Sequence, residues 1–312
     1  MVIAMAALLL PVLADAESDK GTSKCEACIE TARLMRSSSL NEAVADYYVG
    51  LAKANNELTA SQRAAAKKQA ADEYKVARDL ATEQLRERRE LCKELDECRY
   101  NPVINPADFL SVAETAAAPN PLFPLVPGNT YNFRSVSAEG TETVEFAVTR
   151  GTRSILGVTC ITVRDIVRHG DGCVAEDTVD WFAQDRSGNV WYFGENTAEY
   201  DGGLITSTAG SWEAGVGGAK PGIIMFARPV VGKVYRQELS LGEAEDAAKV
   251  IALNESVTVP TGTYLNCLKT EDFTPISPGN TEVKYYAPGL GNVLTITPAT
   301  GKRVELISVT RN

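Results

Sequence analysis

The three tryptophans of this 312-residue chain, Trp181, Trp191 and Trp212, fall within 32 residues of one another. Tyr192, Glu195, Glu199, Tyr200, Asp201 and Glu213 lie among them. Aromatic faces beside carboxylates suit a sugar or another amphipathic ligand, because one side of such a ligand stacks while the other is hydrogen-bonded. Trp181, Trp191, Tyr192, Glu195, Trp212 and Glu213 are therefore the candidate ligand-binding residues. Two of the acids at the right separation would also serve glycoside hydrolysis. The plainer reading makes Trp181 and Trp191 core residues of a hairpin, with the acids on its wet face.

Other chemistries find little support. His169 is the single histidine, which excludes a Ser-His-Asp hydrolase, a multi-histidine metal centre and a haem relay. Cys173 shares a turn with His169, but hairpin geometry brings them together without any nucleophilic purpose. Asp185-Arg-Ser-Gly-Asn189 lacks the alternating acids of a calcium loop and reads as a β-turn with an Asx bond. Residues 203–231 are rich in glycine yet lack the order of a phosphate loop, since Lys220 precedes Pro221. They read as a loop anchored by Trp212 and Met225 that folds back over part of a site. No catalytic residue, metal or cofactor is expected.

The elements that must position these residues follow from composition. Val2 to Leu13 is an apolar run interrupted only by Pro11, and Ala14-Asp15-Ala16 follows as a small-x-small site. That layout predicts a signal peptide over residues 1–16 and a secreted or periplasmic protein. The run is too short to span a membrane, and no stable membrane span is expected elsewhere. No cysteine follows the small residues, so a lipid anchor is not expected.

Residues 20–100 are rich in helix formers and predict a helical hairpin. Asn41 is a candidate cap for the stretch running to about Asn56, and Thr59 or Ser61 caps a longer helix reaching Asp96. Facing residues of an antiparallel pair have nearly constant number sums. That register favours nested Cys25–Cys98 and Cys28–Cys92 bridges, with a four-thiolate zinc site as the alternative. Residues 101–127 carry six of the fourteen prolines and read as an extended linker.

From residue 128 onward Thr, Val, Tyr, Phe, Ile and Gly dominate, in short alternating segments separated by turns. Four motifs recur in order at a spacing of about 104, among them Gly128-Asn-Thr-Tyr131 with Gly232-Lys-Val-Tyr235 and Trp181-Phe-Ala183 with Tyr285-Tyr-Ala287. Residues 128–205 and 232–309 thus read as tandem copies of an antiparallel β unit, and the chain as an α+β protein. Cys160 and Cys267 lie on equivalent strands, near matched positions, which leaves a bridge between them open.

The string Asp177-Thr-Val-Asp-Trp-Phe-Ala-Gln-Asp-Arg-Ser-Gly-Asn-Val-Trp-Tyr-Phe-Gly-Glu195 resembles a group of exported bacterial proteins without an assigned activity, as do Gly210-Ser-Trp-Glu-Ala-Gly and Ala219-Lys-Pro-Gly222. Lys284-Tyr-Tyr-Ala-Pro-Gly-Leu-Gly-Asn-Val293 is similar to the closing hairpin of lipoprotein-carrier-like open β-barrels. Neither resemblance implies catalytic residues.

The chain's net charge of −10 argues against nucleic acid as a partner. The reading that results is an exported, non-enzymatic protein that binds a small amphipathic ligand or a protein partner. A carboxylate-dependent enzyme acting on a glycan is the alternative.

Overall fold

The computed structural model describes residues 26–95, 99–137 and 140–312. The expected signal peptide lies outside these residues, as does the Cys25–Cys98 bridge. Helices α1 (Glu26–Asn55) and α2 (Ala60–Glu94) form the hairpin. Thr59 is the cap chosen between the two candidates: its hydroxyl accepts from the Gln62 amide while the Gln62 side chain returns to the Thr59 amide. Ser37 and Ser39 sit inside α1 because each hydroxyl bonds the carbonyl four residues back, at 3.1 and 3.2 Å. Ala32, Ala43, Ala54, Ala70 and Ala81 are buried, so small side chains carry much of the contact between the helices. Cys28 and Cys92 form a disulfide across it with Cα atoms 5.8 Å apart, in the expected register.

Residues 101–127 depart from the extended linker of the sequence reading. They hold a 3-10 turn, Pro106–Asp108, and a short helix α3, Val112–Ala117. Phe109 and Leu125 are buried in the core of the β domain. Asn120 is buried too, taking Gln184 Oε1 on its amide at 2.8 Å and giving its side-chain amide to the Gly188 carbonyl at 2.8 Å. The prolines set the path of the chain, but the apolar residues between them bind it to the sheet, and burial outweighs any tendency to act as a spacer.

The β domain is one antiparallel sheet. Its first half contains β1 (Thr130–Ser137), β2 (Gly140–Ile155), β3 (Val158–His169), β4 (Val174–Gln184) and β5 (Val190–Asp201). Residues 203–231, expected as a loop, instead supply β6 (Leu204–Ser207), β7 (Trp212–Glu213) and β8 (Lys220–Met225), all of which pair with β5. Next come β9 (Val234–Arg236), β10 (Glu238–Leu239), β11 (Ala247–Val259), β12 (Gly262–Phe273), β13 (Thr281–Ala287), β14 (Gly291–Thr297) and β15 (Lys302–Thr310).

The halves join where β1 pairs with β15. At the other end β8 pairs with β10 while β11 pairs with β9. Only Gln237 separates β9 from β10, so the path of strands returns on itself as a near-barrel. Gly222 on β8 makes that return possible: a Cβ there would lie 2.3 Å from the Gln237 backbone. The Cys160–Cys267 bridge that the sequence left open does not form: both cysteines are buried free thiols on strands that do not pair with each other.

The hairpin is fastened to the barrel at its disulfide end. Leu91 and Leu95 pack on Val234 and Ala247. Beside them Arg88 reaches Glu245 through two bonds of 2.8 Å, with 6% and 2% of the two side chains exposed. Removing one partner of such a pair strands a buried charge, at a cost of about 3–5 kcal/mol. Arg88→Ala should therefore lower stability by that amount in urea unfolding followed by circular dichroism, while Arg88→Met with Glu245→Leu should recover most of the loss. Equal losses in the single and double variants would show that the pair is not what fastens the hairpin.

Candidate functional site

A cavity of about 360 Å³ opens within the near-barrel. Strand alternation decides what faces it. On β2, Val144 and Phe146 point in; on β4, Asp180 and Phe182 do; on β13, Lys284 and Tyr286. Tyr192 and Glu195 on β5 are three residues apart, so strict alternation would place them on opposite faces. A bulge corrects this: Trp181 pairs with Gly194 and Phe182 with Tyr192, which leaves Phe193 as the extra residue. Both side chains then reach the cavity. The second half repeats the device, with Tyr285 opposite Leu294 and Tyr286 opposite Asn292, and so Asn292 and Thr295 both line the cavity.

Gly194 serves a second purpose. Its φ of +139° suits glycine, and a Cβ there would stand 2.4 Å from the Trp212 carbonyl oxygen. Its bare backbone lets β7 close on β5. Trp212 is buried there with its ring edge-on to Tyr192, centroids 5.4 Å apart. Tyr192 in turn stacks on Phe182 at 4.7 Å. Phe123, from the segment expected to be a linker, packs on Phe146 and Phe182 and completes an aromatic wall.

Of the candidate residues, Tyr192 and Glu195 line the cavity and Trp212 supports Tyr192 from behind. The other three lie elsewhere. Trp181 is buried beneath the Arg153 guanidinium, 4.4 Å from its ring centroid, and Arg153 also holds Glu213 at 2.5 Å. Trp191 gives its indole N–H to Asp185 at 2.9 Å and packs edge-on to Phe109. Asp185 is thus the polar partner of a β-turn, accepting also from the Asn189 amide at 2.9 Å. Cys173 is exposed, and the hydrogen bond to Asp171 raises its thiol pKa, the opposite of an activated nucleophile.

The same cavity is rich in acids. Asp165, Asp180, Glu195, Glu238 and Asp246 line the cavity together with a single cation, Lys284. Lys284 is already engaged by Asp272 at 3.1 Å and Glu282 at 3.2 Å. Burial pulls its pKa down, but the charges of Asp272 and Glu282 more than reverse this. The Tyr192 hydroxyl donates to Asp180 at 2.6 Å. Oδ1 of Asp165 and Oε2 of Glu238 are buried without a hydrogen-bond partner. The Trp212 indole N–H acts on Glu238, yet its Nε1 closes no hydrogen bond either.

Burial drives every one of these acids toward its neutral form. Asp180 is pushed up to about 7 by burial, against the Tyr192 hydrogen bond. Glu195 is pushed up to about 8 by burial, reinforced by the charge of Asp180. Burial lifts Asp165 and Glu238 well above the carboxylate range, helped by the charges of Asp180 and Asp246 respectively, and lifts Asp246 as well. Sequence reading missed Asp165, Asp180, Glu238 and Asp246. The available signal was Asp180 alternating with Phe182 along one face of β4.

Unfolded carboxyls titrate near 4, so the native state holds more protons than the unfolded chain from about pH 4 to about pH 8. Stability then falls as pH rises through that window, and the advantage is complete only below it. The ligand-free protein should melt at a higher temperature at about pH 5.5 than at about pH 8.5. Asp180→Asn combined with Glu195→Gln should flatten that slope in differential scanning calorimetry; an unaltered slope would place the titrating groups elsewhere.

No protein-family model matches the chain, and no curated protein does. Two solved structures give loose likenesses. One is a Bacteroides fragilis protein assigned to export with a YmcC-like fold, at 12% identity and a TM-score of 0.37, covering 59% of this chain and 96% of its own. The other is a Parabacteroides distasonis protein assigned as a lipoprotein, at 12% identity and a TM-score of 0.34, covering 61% of this chain and 98% of its own. Superpositions this loose leave the site to be read from its own residues.

Proposed function

We propose that this is an exported, non-enzymatic binding protein that holds a small amphipathic ligand inside its near-barrel. The observation that carries the reading is the cavity of about 360 Å³ lined by both aromatic rings and carboxyls. Its volume falls within the range of about 300–1,000 Å³ usual for small-molecule sites. Buried polar atoms left without partners are costly unless something else satisfies them, and two of them belong to Asp165 and Glu238, which line this space. Export rests on the leader expected at residues 1–16. No described helix is long and apolar enough to cross a membrane.

The strand pattern also supports reading the β domain as a tandem duplication. β3 and β12 both span 12 residues, and the bulges of the two halves fall at Trp181/Phe182 and Tyr285/Tyr286. In this reading one half carries Asp180, Tyr192 and Glu195 where the other carries Lys284, Asn292 and Thr295.

The glycan-acting alternative has one observation in its favour, the direct cross-strand pairing of Asp180 with Glu195. Such pairs hold their Cβ atoms about 4.5–5.5 Å apart, near the separation used by retaining glycosidases. Neither acid is held ionised to act as nucleophile, however, because both are driven toward the neutral form. Binding is the better fit.

A neutral fluorescent amphiphile, N-phenyl-1-naphthylamine, should brighten on saturable binding to the protein. Filling the cavity with Val144→Trp or Ile224→Trp should weaken that binding at least tenfold while far-ultraviolet circular dichroism stays unchanged. Saturable binding that survives in both variants would place any ligand site outside the barrel.

A further inference from the structure

The cavity has a strongly one-sided charge. Asp165 on β3, Asp180 on β4, Glu195 on β5, Glu238 on β10 and Asp246 just before β11 converge on it from separate strands. The remaining charged groups around them are Glu176 on β4, Asp272 on β12, and Glu282 with Lys284 on β13. Tyr192, Tyr235 and Tyr286 are the nearby phenols, and burial raises all three. Among the described residues the five converging acids form no ion pair, since Lys284 is spent on Asp272 and Glu282. Glu238 is 5% exposed, lines the cavity and has an unpartnered Oε2.

A wall of this kind needs positive charge or protons to be stable when closed off from water. A metal ion is a poor match, because among the described residues no three of His, Cys, Asp or Glu stand close enough together to hold one. The acids share the cavity lining with Phe133, Phe146 and Phe182. We propose that the ligand is an amphipathic organic cation, with an ammonium head against Asp165, Asp180, Glu195 and Glu238 and an apolar body on the phenylalanine wall. The proposal rests on the reading of the lumen as a binding site and gives it a ligand class. Aromatic faces near the head group would add cation–π attraction. Binding displaces protons from the carboxyls, so affinity rises with pH, while the stability of the empty protein falls.

The test uses three molecules of one shape and different charge: tryptamine, its neutral alcohol analogue tryptophol, and indole-3-acetate. Isothermal titration calorimetry on the full chain should give tryptamine at least tenfold tighter than tryptophol, with indole-3-acetate weakest. The tryptamine preference should grow from about pH 6 to about pH 8.5 on the unaltered protein, an arm that depends on no variant. Glu195→Gln or Glu238→Gln should each reduce the preference at least threefold, with far-ultraviolet circular dichroism unchanged from the parent protein. Equal binding of tryptamine and tryptophol would overturn the charge class and leave lumen binding standing. Tightest binding of indole-3-acetate would overturn it too. Failure of all three, with N-phenyl-1-naphthylamine still bound in the lumen, would refute the cation alone; loss of that binding as well would refute the lumen as a site.

Discussion

The closure of the sheet at residues 234–239 is the constraint on which the rest depends. One short stretch of chain pairs with β11 through its first half and with β8 through its second. Without it, β8 and β11 would be exposed edges, open to pairing with other chains. With it, every strand has an inner and an outer face, and the inner face becomes a largely buried environment in which a carboxyl group behaves unlike one on a surface. The glycine at position 222 is a small part of the chain, yet the closure needs its missing side chain.

Closure also turns local irregularities into chemistry. A bulge in an open, solvated sheet shifts a side chain from one wet face to another. In a closed sheet it moves a side chain between solvent and lumen, and the bulge at Phe193 does so for Glu195. The two halves use the bulge alike and differ in what it presents: Tyr192 and Glu195 in one, Asn292 and Thr295 in the other. The lumen's two halves thus differ in charge, with Asp180 on β4 and Lys284 on β13.

How much of this could be read from the sequence depends on how local each cause is. The hairpin was legible because helix propensity, the Thr59 cap and the cysteine register all act within short range or along a single helix pair. Strands β3 and β4 were legible through the alternation of their side chains. The segment 203–231 was not, because β8 is held by Gly222 approaching Gln237, a fit between residues that no periodicity reports. Residues 101–127 misled because proline content signals an extended path but says nothing of where Phe109, Phe123 and Leu125 bury. The site was half legible. Aromatic clustering picked out Tyr192, Glu195 and Trp212, but parity along β5 would have separated the first two. The acids Asp165, Asp180 and Glu238 look like solvent-face residues until the sheet is known to close.

The hairpin has a mechanical consequence. α2 is about 52 Å long at 1.5 Å per residue, and its contacts with the barrel, from Gln84 through Arg88 to Leu95, all lie in its last turns. The remainder projects as a rigid arm whose tip carries Leu58, 89% exposed. A load on that tip acts with the full length of the arm as leverage, and the fulcrum is Leu91 and Leu95 on Val234 of the closing strand. The same strand leads, three residues on, to Gln237 and then to Glu238 in the lumen wall. Torque on the arm is therefore delivered to the seam of the barrel, so that whatever pulls on the hairpin also strains the lumen.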